Sequence, residues 1–308
     1  MRISINGSGL LDGASLPSLV DHMTQASEDG FPTYWLAQTG LVDALTLFAA
    51  AADKVPGIEL GTAVVPTYTR HPSALASQAL TAQATTGGRI VLGIGLNHQP
   101  VVEERWGMQW QKPIRHMLDY LDVLQPLLAT GKVSHHGEVF TTEAQLALPT
   151  DDPPPIMLAA LGSQMLRIAG RRTAGTILWM VGPRTISDHI APEIGEAAAE
   201  VGRPVPRIMC SLPTVVTEDE GPTRDFLGTV LARYGELPSY RAMLDREGAA
   251  GPGDVAVVGD EESVRQQLGA IAESGATEFA AVEVARDPDT AARTRALLRE
   301  LDALGSGA

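Results

Sequence analysis

The chain has 308 residues, 44% of them apolar and 19% charged, the profile of a folded protein with a substantial core. Acidic residues outnumber basic ones by 37 to 23, giving a formal net charge of −14, which argues against the basic surface that sequence-independent nucleic-acid binding requires. The single cysteine, Cys210, excludes an internal disulfide and a cysteine-based zinc cluster and fits a reducing cytoplasm. No apolar run approaches the ~18 residues of a membrane span, so neither a span nor a signal peptide is expected.

In chain order, short apolar runs alternate with helical patterns. Strands are predicted at about 2–6 (RISIN), 33–37 (TYWLA), 58–65 (IELGTAVV) and 89–94 (RIVLGI). Four more follow at about 155–160 (PIMLAA), 175–180 (GTILWM), 206–216 (PRIMCSLPTVV) and 277–283 (TEFAAVE). The helices between them carry apolar residues at i, i+3/4, i+7. One runs through Leu16, Leu19, Met23 and Ala26, with Ser15 as N-cap and Gly30 as its stop. Another runs through Val264, Leu268 and Ile271, with Asp260, Glu261 and Glu262 at its positive end.

Eight strands alternating with helices imply a parallel sheet whose strands are all buried. An open doubly wound sheet and a (β/α)8 TIM barrel both satisfy this; the count of eight, the length and the lack of a midpoint linker favour the barrel, as a single domain over 1–308. Two stretches interrupt the rhythm, a hairpin-like insertion at about 131–154 and a Pro/Gly-rich excursion at about 235–259. The first comes before the fifth strand and the second before the penultimate helix; in a barrel, excursions after a strand tend to roof the C-terminal face.

In a barrel, chemistry sits where strands end. The fourth strand, RIVLGIGLNHQP, begins like a dinucleotide fingerprint, but Asn97-His98 stands where a third glycine belongs. His98 could exchange a proton near neutrality or be held by loop carbonyls. Gly162-Ser163, at the junction after the fifth strand, could seat an anion on free helix amides or be an ordinary turn with a serine cap. His71 precedes Pro72 at a helix entrance and reads as structural. His135 and His136 are adjacent on a strand and so point to opposite faces; no metal is expected there. His22 and His116 read as surface or packing residues, and Cys210 as a small buried hydrophobe. Trp35 and Trp179, near strand ends, could wall a pocket or belong to the core. There is no Gly-x-Ser-x-Gly elbow, no P-loop and no His-Glu-x-x-His.

A glycine-threonine strand running into Arg70-His71-Pro72, then GGRIVLGIGLNHQP, then AALGSQMLRIAGRRTAGTILWM, resembles the bacterial luciferase-like monooxygenase superfamily. The similarity extends over nearly the whole chain, through VRQQLGAIAESGATEF. Within the superfamily the chain resembles the oxidoreductases that use the deazaflavin coenzyme F420, although flavin-mononucleotide (FMN) enzymes share the scaffold. The resemblance implies a bulge at the end of the third strand, often with a cis peptide, supporting the cofactor ring at Ala63–Val64. It places the cofactor phosphate on the turn of Ala160, Leu161, Gly162, Ser163 and Gln164, with Gly95, Leu96 and Asn97 contributing. Homodimerisation is a further family expectation.

Two positions depart from relatives such as the sugar-phosphate dehydrogenases. Gln38 stands where they keep a histidine, and His98 where they keep a glutamate. On this reading the protein passes a hydride between F420 and a small organic substrate, with His98 as acid/base, Gln38 orienting the substrate and Trp35 and Trp179 walling the pocket. An FMN-dependent monooxygenase and a non-catalytic deazaflavin or flavin carrier are the alternatives.

Overall fold

The predicted alternation is realised. The computed structural model describes residues 1–10, 13, 15–38, 42–147, 152–285 and 287–305. Its strands are β1 (Arg2–Asn6), β2 (Thr33–Leu36), β3 (Glu59–Thr62), β4 (Val65–Pro66), β5 (Ile90–Gly95), β6 (Lys132–His136), β7 (Thr141–Gln145), β8 (Ile156–Ala159), β9 (Gly175–Trp179), β10 (Arg207–Val216), β11 (Val257–Gly259) and β12 (Glu278–Glu283). One sheet runs in the order β11-β10-β12-β1-β2-β3-β5-β8-β9, and β10 also pairs with β9. Eight parallel strands therefore close on themselves as a (β/α)8 barrel, with β11 beside β10 and β4 beside β5.

The chain divides into two units, Met1–Trp35 with Ala160–Ala308, and Leu36–Ala159. In the first unit β1 pairs with β12 (Ile3↔Phe279) and β2 (Ile5↔Tyr34), and β10 pairs with β12 and β9 (Cys210↔Leu178). Pro213, which has no N–H to donate, falls between the stretch of β10 paired with β9 and the stretch paired with β11. At the strand starts the inward face carries a buried ionic cluster. Glu278, fully buried, accepts hydrogen bonds from Ser4 Oγ (2.6 Å), Trp35 Nε1 (2.8 Å) and Arg207 Nε (2.6 Å). A carboxylate that deep is tolerable only because cation and donors replace its water.

In the second unit β5 is the centre, flanked by β3 (Leu60↔Ile90) and β8 (Gly93↔Met157). The single strand expected at about 58–65 is split. The ladder stops after Thr62, whose hydroxyl donates to Gly93 O at 2.7 Å, and resumes at Val65, opposite Ile94. The intervening Ala63 N–H donates to Leu36 O (2.8 Å), and the Ala63–Val64 peptide is cis.

Helix starts follow the local rules. Ser15 caps Leu16–Glu28, Asp43 caps Ala44–Ala51 by accepting from Thr46 N at 2.9 Å, and His71 caps Pro72–Thr85, the structural role read from its place before Pro72. The first insertion is the antiparallel hairpin β6–β7 (Lys132↔Gln145), with 148–151 outside the described residues. The second takes in the end of the helix Ala232–Glu236, the helix Pro238–Glu247 and the strand β11. Among the described residues no helix is long and apolar enough to cross a membrane.

Candidate active site

In the second unit the strand ends bring together Gln38, the Ala63–Val64 bulge and the turn after β5. Gly95 is the last residue of β5, and a Cβ there would lie 2.8 Å from Val64 Cγ2 and 3.0 Å from the Ala159 Cβ. The missing side chain is thus the space into which Val64 fits, so this glycine shapes the bulge. Leu96, Asn97 and His98 follow, all half-buried. Asn97 adopts φ 65°, a left-handed conformation Asn tolerates, and its Oδ1 accepts the His98 N–H at 2.7 Å. The His98 carbonyl accepts from Val102 N at 3.0 Å, which ties the histidine to the π-helical turn Val101–Arg105.

Gln38 is held by a group that local sequence did not identify. Its Oε1 accepts from Arg70 Nη1 at 3.0 Å, which fixes the amide's acceptor end and orients its NH2 as the donor end. Arg70 is ion-paired with Asp43, and Gln78 donates to the same carboxylate at 2.9 Å. Burial alone would raise the Asp43 pKa, but the Thr46 and Gln78 hydrogen bonds and the Arg70 guanidinium hold it below its ordinary value.

Beside this network stands a column of rings. Tyr68 stacks on Trp110 (centroids 5.3 Å apart) and on His116 (4.2 Å), and Phe140, in the turn of the first insertion, meets His116 edge-on at 5.3 Å. His116 is 4% exposed and its Nε2 lies 3.0 Å from Thr67 Oγ1. Burial pushes its pKa down to about 4, against the opposing pull of the Asp119 carboxylate, so the ring is neutral at pH 7. Among the described residues the buried Tyr68 hydroxyl has no hydrogen-bond partner, and burial followed by the charge of Glu103 raises its pKa.

In the first unit the turn after β8 starts the helix Ser163–Arg172, whose N-cap Gly162 has no side chain to satisfy the first amides. Ala160 is buried, Leu161 half-buried, and Gly162 and Gln164 exposed. His189 Nε2 lies 2.8 Å from Leu161 O, and the Ser163 hydroxyl bonds Glu193, which also takes Arg167 at 3.0 Å. The backbone amides here suit an anion; the serine hydroxyl is already engaged.

The two tryptophans are placed differently. Trp35 is fully buried and directed toward the starts of β12 and β10, its indole N–H on Glu278 and Arg207 over its ring at 5.2 Å. Trp179 ends β9, half-buried, with Tyr234 edge-on at 5.9 Å and Tyr240 beyond it at 5.3 Å. Its Nε1 is buried without a partner among the described residues.

A sequence profile described as luciferase-like monooxygenase matches residues 3–278. The chain belongs to the luciferase-like monooxygenase family. A Mycobacterium tuberculosis protein provisionally named a coenzyme F420-dependent oxidoreductase is 27% identical over 240 residues, 72% of this chain and 69% of that one. The solved coenzyme F420-dependent tetrahydromethanopterin reductase from Methanopyrus kandleri superposes with a TM-score of 0.80 at 19% identity, covering 97% of each chain. The FMN-bound oxygenating constituent of the Pseudomonas putida 3,6-diketocamphane monooxygenase superposes with a TM-score of 0.77 at 17% identity, covering 98% of this chain and 97% of that one.

This luciferase-like barrel also assembles groups that local sequence patterns missed. Arg70 lay in the Arg70-His71-Pro72 run after the third strand without an assigned role, Tyr68 stands two residues before it, and Trp110 sits in a polar stretch with no local signal. His135 comes together with Asp119 and Asp122, their ligand atoms all within 4.8 Å. The Asp119 carboxylate, however, already takes Arg115 and the Val139 N–H (2.7 Å). Arg115 supplies the positive charge that a cation would bring, 3.9 Å from Asp122.

Proposed function

We propose that this luciferase-like protein is an F420-dependent oxidoreductase acting on a small organic substrate. The observation that carries the reading is the bulge itself: Gly95 accommodates Val64 at the end of the third barrel strand, next to the turn that presents His98. The relative provisionally named as F420-dependent adds support for that cofactor over FMN.

The residues fit such a cofactor on two counts. The uncapped amides at Gly162, Ser163 and Gln164 suit its phosphate, and the Ala63–Val64 bulge with Gly95, Leu96 and Asn97 offers a rigid backing for a planar ring. When bound, the deazaflavin supplies a hydride donor or acceptor. The protein orients the substrate through the Gln38 amide, itself held by Arg70, and His98 gives or takes the substrate proton. Trp179 and Tyr234 form an apolar wall at the end of β9, whereas Trp35, committed to Glu278, serves the barrel base.

Titration with F420 and, separately, with FMN tests this reading. Saturable F420 binding that raises the midpoint of thermal unfolding is the expected result. Tight FMN binding with oxygen uptake, and no response to F420, would overturn it. Saturable F420 binding with no turnover across enones, imines and alcohols would reduce the protein to a carrier.

A further inference from the structure

We propose that the indole N–H of Trp179 is the hydrogen-bond donor that fixes a neutral carbonyl oxygen of the bound ligand at the end of β9. This deepens the oxidoreductase reading, on which it rests for the presence of a carbonyl-bearing ligand.

The position of the side chain follows from the sheet. Trp179 is the register partner of Ser211, so the two share a face. Asn6 Nδ2 donates to Ser211 Oγ at 2.9 Å, and Asn6, two residues beyond Ser4, lies on the same face as the Glu278 cluster. That face is the inside of the barrel.

The polar side chains that share this face beside Trp179, Ser211 and Asn6, are committed. Ser211 Oγ donates to Ala280 O at 2.7 Å, and Asn6 Oδ1 accepts from Ser8 N at 3.0 Å. Trp35 provides the internal contrast: the same indole donor, on the same face, satisfied by Glu278 at 2.8 Å. Among the described residues three buried side-chain atoms lack a partner, Tyr68 Oη, His135 Nε2 and Trp179 Nε1. His135 Nε2 is 3.8 Å from the Asp119 carboxylate, and Tyr68 feels Glu103. An indole nitrogen can only donate, and a donor buried without an acceptor is costly, so the missing partner is an acceptor that arrives with a ligand.

The surroundings select the acceptor. Tyr234 lies edge-on to the indole and Tyr240 edge-on to Tyr234, while Met180 and Val181, which follow Trp179, are fully buried. Glu247 accepts the Arg184 and Thr185 N–H groups at 3.1 and 2.7 Å just past β9. Its charge adds to burial in raising the pKa of Cys210, the register partner of Leu178. An anion would meet that carboxylate and these rings, and the neighbouring Arg184 guanidinium is already paired with Asp188 at 3.6 Å, whereas a ketone, aldehyde or ring carbonyl meets an apolar wall and one donor. Either the substrate or the cofactor ring could bring such a carbonyl.

The test uses the full-length protein labelled with 15N-tryptophan, whose four indole N–H resonances can be followed separately. Trp179→Phe identifies its resonance by loss. Tyr234→Leu marks the same resonance independently by removing the ring 5.9 Å away. The probes are F420, FMN, cyclohexanone and its anionic counterpart cyclohexanecarboxylate. The expected result is a downfield shift of the Trp179 N–H with cyclohexanone or with a cofactor, and an affinity for that probe about tenfold weaker in Trp179→Phe, the size of one neutral hydrogen bond. A shift with cofactor alone assigns the acceptor to the cofactor ring; a shift requiring cyclohexanone assigns it to substrate. F420 binding with no probe moving the Trp179 resonance overturns the inference and leaves the oxidoreductase reading standing. A shift with cyclohexanone but binding of neither cofactor does the reverse. Cyclohexanecarboxylate binding as tightly as cyclohexanone also overturns the inference.

Discussion

His116 offers the most direct check on the second unit. It is buried in the ring column and neutral, with a pKa pushed from 6.5 to about 4. A base whose folded pKa lies below its unfolded one takes up its proton first in the unfolded chain, so stability falls as pH drops from the unfolded value toward the folded one. The full separation corresponds to about 3 kcal/mol at ~1.4 kcal/mol per pKa unit, of which about 2 kcal/mol is lost between about pH 7.5 and pH 5. The control is His116→Phe, which keeps the stacking on Tyr68 but cannot titrate. Urea unfolding of both proteins across that window isolates the histidine, because every other titration is common to the pair. Wild type should lose about 2 kcal/mol more than the variant over this range. Equal pH slopes, or a wild type that gains stability on acidification, would refute a neutral, buried His116.

Three other predictions follow from particular contacts. Gly95→Ala places a methyl 2.8 Å from Val64 Cγ2, so it should cost about 1–3 kcal/mol in urea unfolding and weaken F420 binding; unchanged values for both would mean the bulge yields freely. Glu278→Ala removes the carboxylate that balances Arg207 and accepts the Trp35 N–H, and should destabilise by about 3–5 kcal/mol in urea unfolding without altering cofactor affinity per folded molecule; a loss under about 1 kcal/mol would refute the buried-pair account. His98→Gln should lower the turnover number by about 10²–10⁴ and remove one limb of its pH profile, on whichever substrate is found; an unaltered profile removes His98 from proton transfer.

The architecture was legible in the sequence because parallel barrel strands, buried on both faces, appear as short apolar runs and the helices between them carry a 3.6-residue period. The cap at Ser15 was legible for the same local reason, its hydroxyl accepting from an amide a few residues away; Asp260, read only as part of an acidic helix start, accepts from Ser263 N in the same way. The strand at 58–65 was harder, since its composition is uniformly strand-like. Its break depends on Leu36 receiving the Ala63 N–H and on Val64 settling over Gly95, contacts with residues far along the chain.

The candidate site divides along the same line. Gln38, His98 and Gly162 could be chosen from their places after strands, a consequence of topology that sequence order already encodes. What each can do was set by long-range partners: Arg70 for Gln38, and Glu193 rather than a ligand for the Ser163 hydroxyl. The two tryptophans make the point most sharply. Both stand near strand ends, and no local pattern separates them. Trp35 meets the buried carboxylate of Glu278 and becomes part of the barrel base, while Trp179 keeps an unpartnered donor beside Tyr234. The sequence by itself determined the eight runs that form the barrel strands and their order, because those depend on neighbours within a few residues. Only the tertiary structure decided which polar atoms find partners, because a hydrogen bond is short and directional and its second half can come from anywhere in the chain.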